Sequence, residues 1–281
     1  MIPDFIDPGR LKLGENRMPC PVCDKGPKDT ALSVRLEPDG GVIWCCHRYG
    51  CPMTGSSRAG NSELAQRAPT APPQRIDRVR GLSEYARQLL AATRRICGEA
   101  GAYLDARGCV RPPPGSHLRC MDELRHPSGF AGPALVALIT DAETGERLSL
   151  HRTWIKPNGT KADLDTPRLL LKGHPIAGGV IRLWPDEGVT TGLGIAEGIE
   201  TALSLAHGFA PVWSCIDAGH MAKFPVLSGI NDLVIGADND AAGRKAAEEC
   251  AQRWADHATV RIVCAERAGS DLNDEVREWA R

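Results

Sequence analysis

The sequence predicts an α/β protein in which a small β module precedes a mixed α+β subdomain and a C-terminal domain with a largely parallel sheet flanked by helices. Three observations lead there. Five of the eleven cysteines fall between residues 20 and 51, inside a hairpin-like pattern. A Pro-bearing stretch poor in large apolar residues follows them. From residue 192 onward, apolar strands and helical periodicities alternate. The chain thus divides into residues 1–57, a linker at 58–80, a basic subdomain at 81–185 and a C-terminal domain at 186–281.

In the first module, CPVC at Cys20 to Cys23 is followed by a strand-like ALSVRL, a turn at Pro38 to Gly41, and GVIW running into CCHRYGC. Two thiol pairs near tight turns, joined by a hairpin, suit the tetrahedral soft-ligand shell of one structural zinc ion, a zinc-ribbon layout. Cys20 and Cys23 form the first pair. Cys45, Cys46, His47 and Cys51 compete for the second. Cys46 and Cys51 are favoured because Cys46 shares a strand face with Trp44, which turns Cys45 away, and the turn at 48–50 brings Cys51 back. His47 is the main rival to Cys51. Trp44 is read chiefly as a core residue under the hairpin, with base stacking on Trp44 or Tyr49 as the functional alternative. Clustered cysteines in a reducing compartment argue for metal ligation rather than disulfides.

Residues 58–80 read as an extended linker near Ala71 to Pro73. Beyond it, ALVALITD, SLHRTWIK and GGVIRLW read as strands separated by turns and a loop. Arg152, Lys161 and Lys172 are candidate nucleotide or template contacts, weighed against an ordinary solvated surface. Arg87, Arg94 and Arg95 are placed on a helix that is more often simply solvated.

The C-terminal domain carries the densest chemistry. LGIAE is a buried-type strand ending at Glu197, followed by Gly198 and the helical IETALSLAHG. PVWSCID is a second strand. DLVIGAD ends at Asp238 and passes through Asn239 and Asp240 into the helix AAGRKAAEECAQRWA, before a fourth strand, TVRIVCA. Such sheets place their sites beyond the carboxyl ends of the strands. Asp238 and Asp240 there offer hard oxygen ligands for magnesium or manganese, and Glu197 completes an acidic cluster.

Charge follows the same division. Residues 58–185 hold 19 basic and 12 acidic groups, residues 186–281 hold 8 and 16, and the first 57 balance at 7 each. A basic region suits a polyanion, and an acidic one that handles polyanions needs bound cations. No uninterrupted apolar stretch approaches a membrane span, and the N-terminus lacks the basic start and apolar segment of a signal peptide, so a soluble, cytoplasmic protein is expected.

Glu197-Gly198 after a strand, Asp238-Asn239-Asp240-Ala241-Ala242-Gly243 before a basic helix, and the turn Gly269-Ser270-Asp271 resemble the motifs of the Toprim domains of bacterial and phage primases. The N-terminal cysteines are similar to a primase zinc ribbon, and the compact architecture resembles a stand-alone phage or mobile-element form. The resemblance implies a DNA primase that makes short RNA primers on single-stranded DNA from ribonucleoside triphosphates. It implies Glu197, Asp238 and Asp240 as catalytic, joined by Asp271 in holding two magnesium or manganese ions. The absence of a GxxxxGK[ST] loop makes any replicative helicase a separate partner. Thr201 and Asn273 stand where many such primases have acids, which leaves a third metal position open, with Glu200 and Asp274 as candidates, Glu200 facing a different side of its helix from Thr201 and weighed against a simply solvated residue. Two further readings are a Toprim metal-dependent nuclease and a non-catalytic DNA-binding protein like the RecR mediators. A Toprim topoisomerase is disfavoured, since Tyr49, Tyr85 and Tyr103 all precede the acidic motifs.

Overall fold

The computed structural model describes residues 2–23, 26, 29–48, 51–57 and 81–279. The expected linker at 58–80 and Tyr49 lie outside the described residues. Contacts divide the chain into two compact units, Met1–Arg75 and Ile76–Arg281.

In the first unit, β1 (Gly14–Met18), β2 (Leu32–Leu36), β3 (Val42–Cys46) and β4 (Thr54–Ser57) form an antiparallel sheet in that order. Asp39 shapes the β2–β3 turn by accepting the Gly41 N–H at 2.9 Å. The β3 residues Val42, Trp44 and Cys46 point inward and Ile43 and Cys45 outward, as the alternation requires. Trp44 is buried against Leu32, Val34 and Val42, the core role expected of it. Its indole lies on Gly55 of β4, where a Cβ would come within 2.5 Å of the ring, so only glycine fits.

The second unit begins, among the described residues, with α1 (Glu84–Ala91) and α2 (Gly98–Ala106). Ser83 caps α1 by accepting the Ala86 N–H. The helix stops at Ala91, so Arg94 and Arg95 lie beyond it, contrary to expectation. Arg94 instead enters an isolated bridge with Cys120 and pairs with Asp122. Five strands follow: β5 (Leu118–Arg125), β6 (Ala131–Asp141), β7 (Arg147–Trp154), β8 (Arg168–Leu170) and β9 (Gly179–Arg182). The C-terminal part alternates β10 (Gly192–Ala196), α3 (Ile199–Leu205), β11 (Val212–Ser214), α4 (Ala218–Ala222), β12 (Asp232–Ala237), α5 (Ala241–Trp254), β13 (Thr259–Cys264) and α6 (Leu272–Trp279).

All these strands join one nine-stranded sheet ordered β13-β12-β10-β11-β9-β6-β7-β8, with β5 paired to β6. The segment β13-β12-β10-β11 is parallel, as the strand–helix alternation predicts. β9 joins it antiparallel through Trp213 opposite Arg182. The subdomain expected at 81–185 and the domain expected at 186–281 therefore share one continuous sheet. Arg182 pins the junction: it is buried, donates to the Thr140 hydroxyl and to the Asp141 and Ala142 carbonyls, pairs with Asp186 at 2.6 Å, and stacks 4.5 Å over Trp213.

Both faces of β6 are covered, which explains its continuous apolar run. Ala134, Val136 and Leu138 pack with Leu82, Leu89 and Trp154. Leu135, Ala137 and Ile139 pack on the other face with Tyr103, Leu104, Leu203 and Val234. Every residue of α3 is buried, and α6 lies against it. No helix among the described residues is long and apolar enough to cross a membrane.

Candidate active site and thiol cluster

In the first unit the structure brings Cys20, Cys23, Cys46 and Cys51 together, their sulfurs all within 4.8 Å of one another. Cys20 and Cys51 are 3.7 Å apart and Cys23 and Cys46 3.8 Å. The edge of a tetrahedron with 2.3 Å metal–sulfur bonds is about 3.8 Å, which these two separations match, so the four-thiol cluster fits a zinc ion. Cys45 and His47 are exposed and outside the cluster. Asp29 fixes the surrounding turns: it accepts the Ala31 N–H at 3.0 Å and the Cys20 N–H at 3.4 Å, and pairs with Arg48 at 2.8 Å.

In the second unit the acids collect where parallel strands end. Glu197 follows β10 and Asp238 follows β12, the strands pairing up to Ala196 opposite Gly236. Asp240 caps α5, its Oδ1 accepting the Gly243 N–H at 2.8 Å. Gly243 is obligatory, because a Cβ there would meet the Asp238 carbonyl at 2.5 Å; the motif's glycine lets the first turn of α5 close on the strand end. Asn239 ties this end to the 265–271 loop. Its N–H donates to the Ser270 carbonyl at 2.9 Å, its carbonyl accepts the Gly269 N–H at 2.7 Å, and its Nδ2 donates to the Ala265 carbonyl at 2.7 Å. The loop thereby delivers Asp271, which begins α6 in a reciprocal cap with Asp274 at 2.9 and 3.4 Å.

These carboxyls are electrostatically strained. Burial, then the Asp238, Asp217 and Asp240 charges, push Glu197 up to about 7. Burial, then Asp271 and Asp240, push Asp238 up to about 6 against a hydrogen bond with Thr201. Burial also raises Asp271. The Asp238 Oδ1 is buried with no hydrogen-bond partner. An orphaned carboxylate oxygen among mutually repelling hard donors fits a divalent cation.

The two positions where an acid was missing have structural occupants. Thr201 is buried and holds the Asp238 carboxyl lower than it would otherwise be. Asn273 is fully buried, donating to the Arg107 carbonyl at 2.8 Å and the Ser204 hydroxyl at 3.0 Å while accepting from Arg107 at 2.6 Å; it locks α6 to the end of α2 and to α3. Glu200 is not solvated, one of the readings weighed for it, but 6% exposed. α3 is packed on every side, so its polar face has no water to meet. Glu200 accepts the Tyr103 hydroxyl at 2.6 Å and lies 3.6 Å from Arg168. Burial alone would raise its pKa, but Arg168, then Lys161 and the Tyr103 hydroxyl overcome it and bring Glu200 to about 2.

Of the three basic candidates, the structure brings Lys161 into this charge network. Burial lowers its pKa, and the charge of Glu200 opposes that shift. Lys172 is exposed in the loop after β8. Arg152 is turned to the other face of β7, buried, 5.6 Å over Trp154 and bonded to the Leu170 carbonyl at 3.1 Å. Arg87 is engaged with Glu84 at 2.6 Å and with the Leu82 carbonyl. Sequence reasoning missed Arg168, whose charge lowers Glu197, Asp238 and Glu200 alike. It also missed Asp217 beside Glu197. Arg168 had no local signal, and Asp217 had only its place at the end of the strand PVWSCID.

The fold and site define a protein with a small thiol-clustered β sheet and a C-terminal α/β domain whose acids line parallel strand ends. Residues 192–280 match the family model of the Toprim domain. Residues 80–183 match a domain of unknown function (DUF7146). No curated protein matches the chain. Among solved structures, a DNA primase domain from Pseudomonas aeruginosa is 16% identical with a TM-score of 0.36, covering 56% of this chain; the chain spans only 52% of that one. The primase fragment of the bacteriophage T7 primase-helicase protein is 18% identical, covers 92% of each chain and has a TM-score of 0.41. The Aquifex aeolicus primase, with its zinc-binding and RNA polymerase domains, is 17% identical, covers 96% of this chain and 78% of its own, and has a TM-score of 0.39.

Proposed function

We propose that this chain is a DNA primase, making short RNA primers on single-stranded DNA from ribonucleoside triphosphates. The observation that carries the reading is the acidic cluster of the Toprim domain, with its orphaned Asp238 oxygen and its raised Glu197 and Asp238 carboxyls. Glu197, Asp238, Asp240 and Asp271 would hold magnesium or manganese, two ions being the natural number. When bound, such ions neutralise nucleotide phosphates and the departing pyrophosphate. Asp238 and Asp240 are held for this by the strand end, the α5 cap and the Asn239 stitches. Glu197 would serve either as one of these ligands or, when ionised, as the base that takes a proton from an attacking 3′-hydroxyl. Lys161 and Arg168 supply fixed positive charge next to the acids, suited to triphosphate oxygens. Lys172 completes the proposed nucleotide and template contacts, while Arg152, buried against Trp154, would support β7.

In the first unit, Cys20, Cys23, Cys46 and Cys51 would hold one structural zinc ion, and the ribbon would grip single-stranded template. The residue divisions 1–57, 58–80, 81–185 and 186–281 are proposed as ribbon, linker, basic subdomain and catalytic domain of a cytoplasmic protein working beside a separate helicase. The test is incubation of the full chain with mixed single-stranded DNA templates, labelled ribonucleotides and magnesium or manganese. Short RNA products support the reading. Template degradation would replace it with a nuclease, and binding without either reaction would replace it with a RecR-like binding protein.

A further inference from the structure

Beside Glu197 stands a pair that no motif flags. β11 runs parallel to β10 with Ser214 opposite Ala196, and the Ser214 hydroxyl donates to the Glu197 carbonyl at 3.0 Å. Two residues later the chain bends sharply. Ile216 has φ of 76°, rare for a β-branched residue, and the Asp217 N–H closes a tight turn on the Cys215 carbonyl at 2.9 Å. This bend sets Asp217 at the start of α4, where its charge acts on Glu197.

The Asp217 carboxylate is held by His220. Its Oδ1 accepts the His220 N–H at 2.9 Å and lies 2.8 Å from Nδ1 of the same residue. The other ring nitrogen, Nε2, lies 2.8 Å from the Ile176 carbonyl. A carbonyl and an ionised carboxylate only accept, so both ring nitrogens must donate, and only the imidazolium carries two N–H groups. Ile176 belongs to the loop between β8 and β9, which also carries Lys172 and follows the short strand that begins at Arg168. One imidazolium therefore ties the strand end bearing Asp217 to the segment that connects the basic side chains.

We propose that Asp217 and His220 are positioning residues for the nucleotidyl transfer site, a His220 imidazolium fixing Asp217 beside Glu197 and stapling the loop after Arg168 to the end of β11. The proposal rests on the primase reading for its chemistry, while the staple itself stands on geometry. A neutral ring would have one donor for two acceptors, so one of the two ties must be lost on deprotonation. The groups facing the ring are Asp217, the Ile176 carbonyl and Lys223 of the α4 end; from α5, Arg253 donates to the Ala222 carbonyl. Asp217 outweighs burial and Lys223, raising His220 above its ordinary 6.5. The staple is complete below that raised value and lost as pH rises through it.

The test has two arms on the full chain. In the first, the imidazole nitrogens are followed by NMR as pH is raised. The wild-type His220 ring should stay doubly protonated to a pH above 6.5, and Asp217→Asn should bring its titration back down. In the second, Mn²⁺ affinity is measured by calorimetry and primer synthesis by gel at pH 6, where the staple is complete. His220→Gln, checked for folding by circular dichroism, should weaken Mn²⁺ binding and lower primer yield by roughly 10-fold or more, as loss of a partner behind a metal site does. His220→Lys, which keeps a positive donor, should recover part of it. A neutral His220 ring at pH 6, or wild-type Mn²⁺ affinity in His220→Gln, would overturn the proposal. If the wild-type chain makes no primers, the primase reading fails, and the NMR and calorimetric results still decide the staple.

Discussion

The two compact units of this chain keep their shape by different means. The four-stranded sheet of residues 14–57 has a small core of Ile6, Leu32, Val34, Val42 and Trp44, completed by two of its own clustered thiols, Cys20 and Cys46. The nine-stranded unit buries both faces of β6 and all of α3, so its fold stands on apolar burial and it can hold strained acids at its strand ends. In one unit the clustered thiols complete the core; in the other the core carries the clustered acids. Small units of the first kind need a bound ion to fold, whereas large cores tolerate mutually repelling charges.

Metal removal should break the comparison most visibly. Chelation, or Cys23→Ser, should unfold the first unit, since a structural zinc ion supplies about 10–16 kcal/mol of folding free energy in comparable sites. The second unit should keep its cooperative melt, read by circular dichroism and limited proteolysis; loss of both units together would show that the first is not independent. Next in size, Glu200→Ala should destabilise the second unit by about 3–5 kcal/mol in denaturant melts, because Arg168, Lys161 and Tyr103 lose a buried partner. Asn273→Ala should cost about 2–3 kcal/mol by leaving the half-buried Arg107 and buried Ser204 groups without their partner, with no loss of divalent-ion affinity if Asn273 is a lock rather than a ligand.

Comparable in size is a pH dependence of the second unit. Glu197 and Asp238 bind protons more tightly folded than unfolded, so without divalent ions stability falls as pH rises from the ordinary carboxyl range through about 6 and 7. Bound Mn²⁺ should reverse this, raising the melting temperature more at pH 8 than at pH 5. Equal shifts at both values would argue against these carboxyls as ligands.

How much of this was legible in the sequence also differs between the two units. CPVC, the Trp44–Cys46 alternation and the strand-end acids are local patterns, and the structure places each where the pattern indicates. β1 and β4 were not legible: GENRM and TGSS carry no apolar alternation and are strands only because β2 and β3 offer free edges to pair with. Glu200 was weighed as a metal ligand against a solvated residue, since it faces a different side of its helix from Thr201; its burial depends on α6 and Tyr103, far off in sequence. Arg168 and Asn273 acquire their roles through equally distant partners. The motif Asp-Asn-Asp was legible in its acids, while Asn239, which stitches the third motif to the second, was hidden between them.

The central claim is that the strand-end acids of the second unit drive metal-dependent nucleotidyl transfer. Its most direct test is primer synthesis on single-stranded DNA by wild type against Asp238→Ala/Asp240→Ala, with Mn²⁺ or Mg²⁺ and labelled ribonucleotides. The account predicts short RNA products that fall by roughly three orders of magnitude in the double variant while both units stay folded. Primer synthesis that survives the double substitution would contradict it.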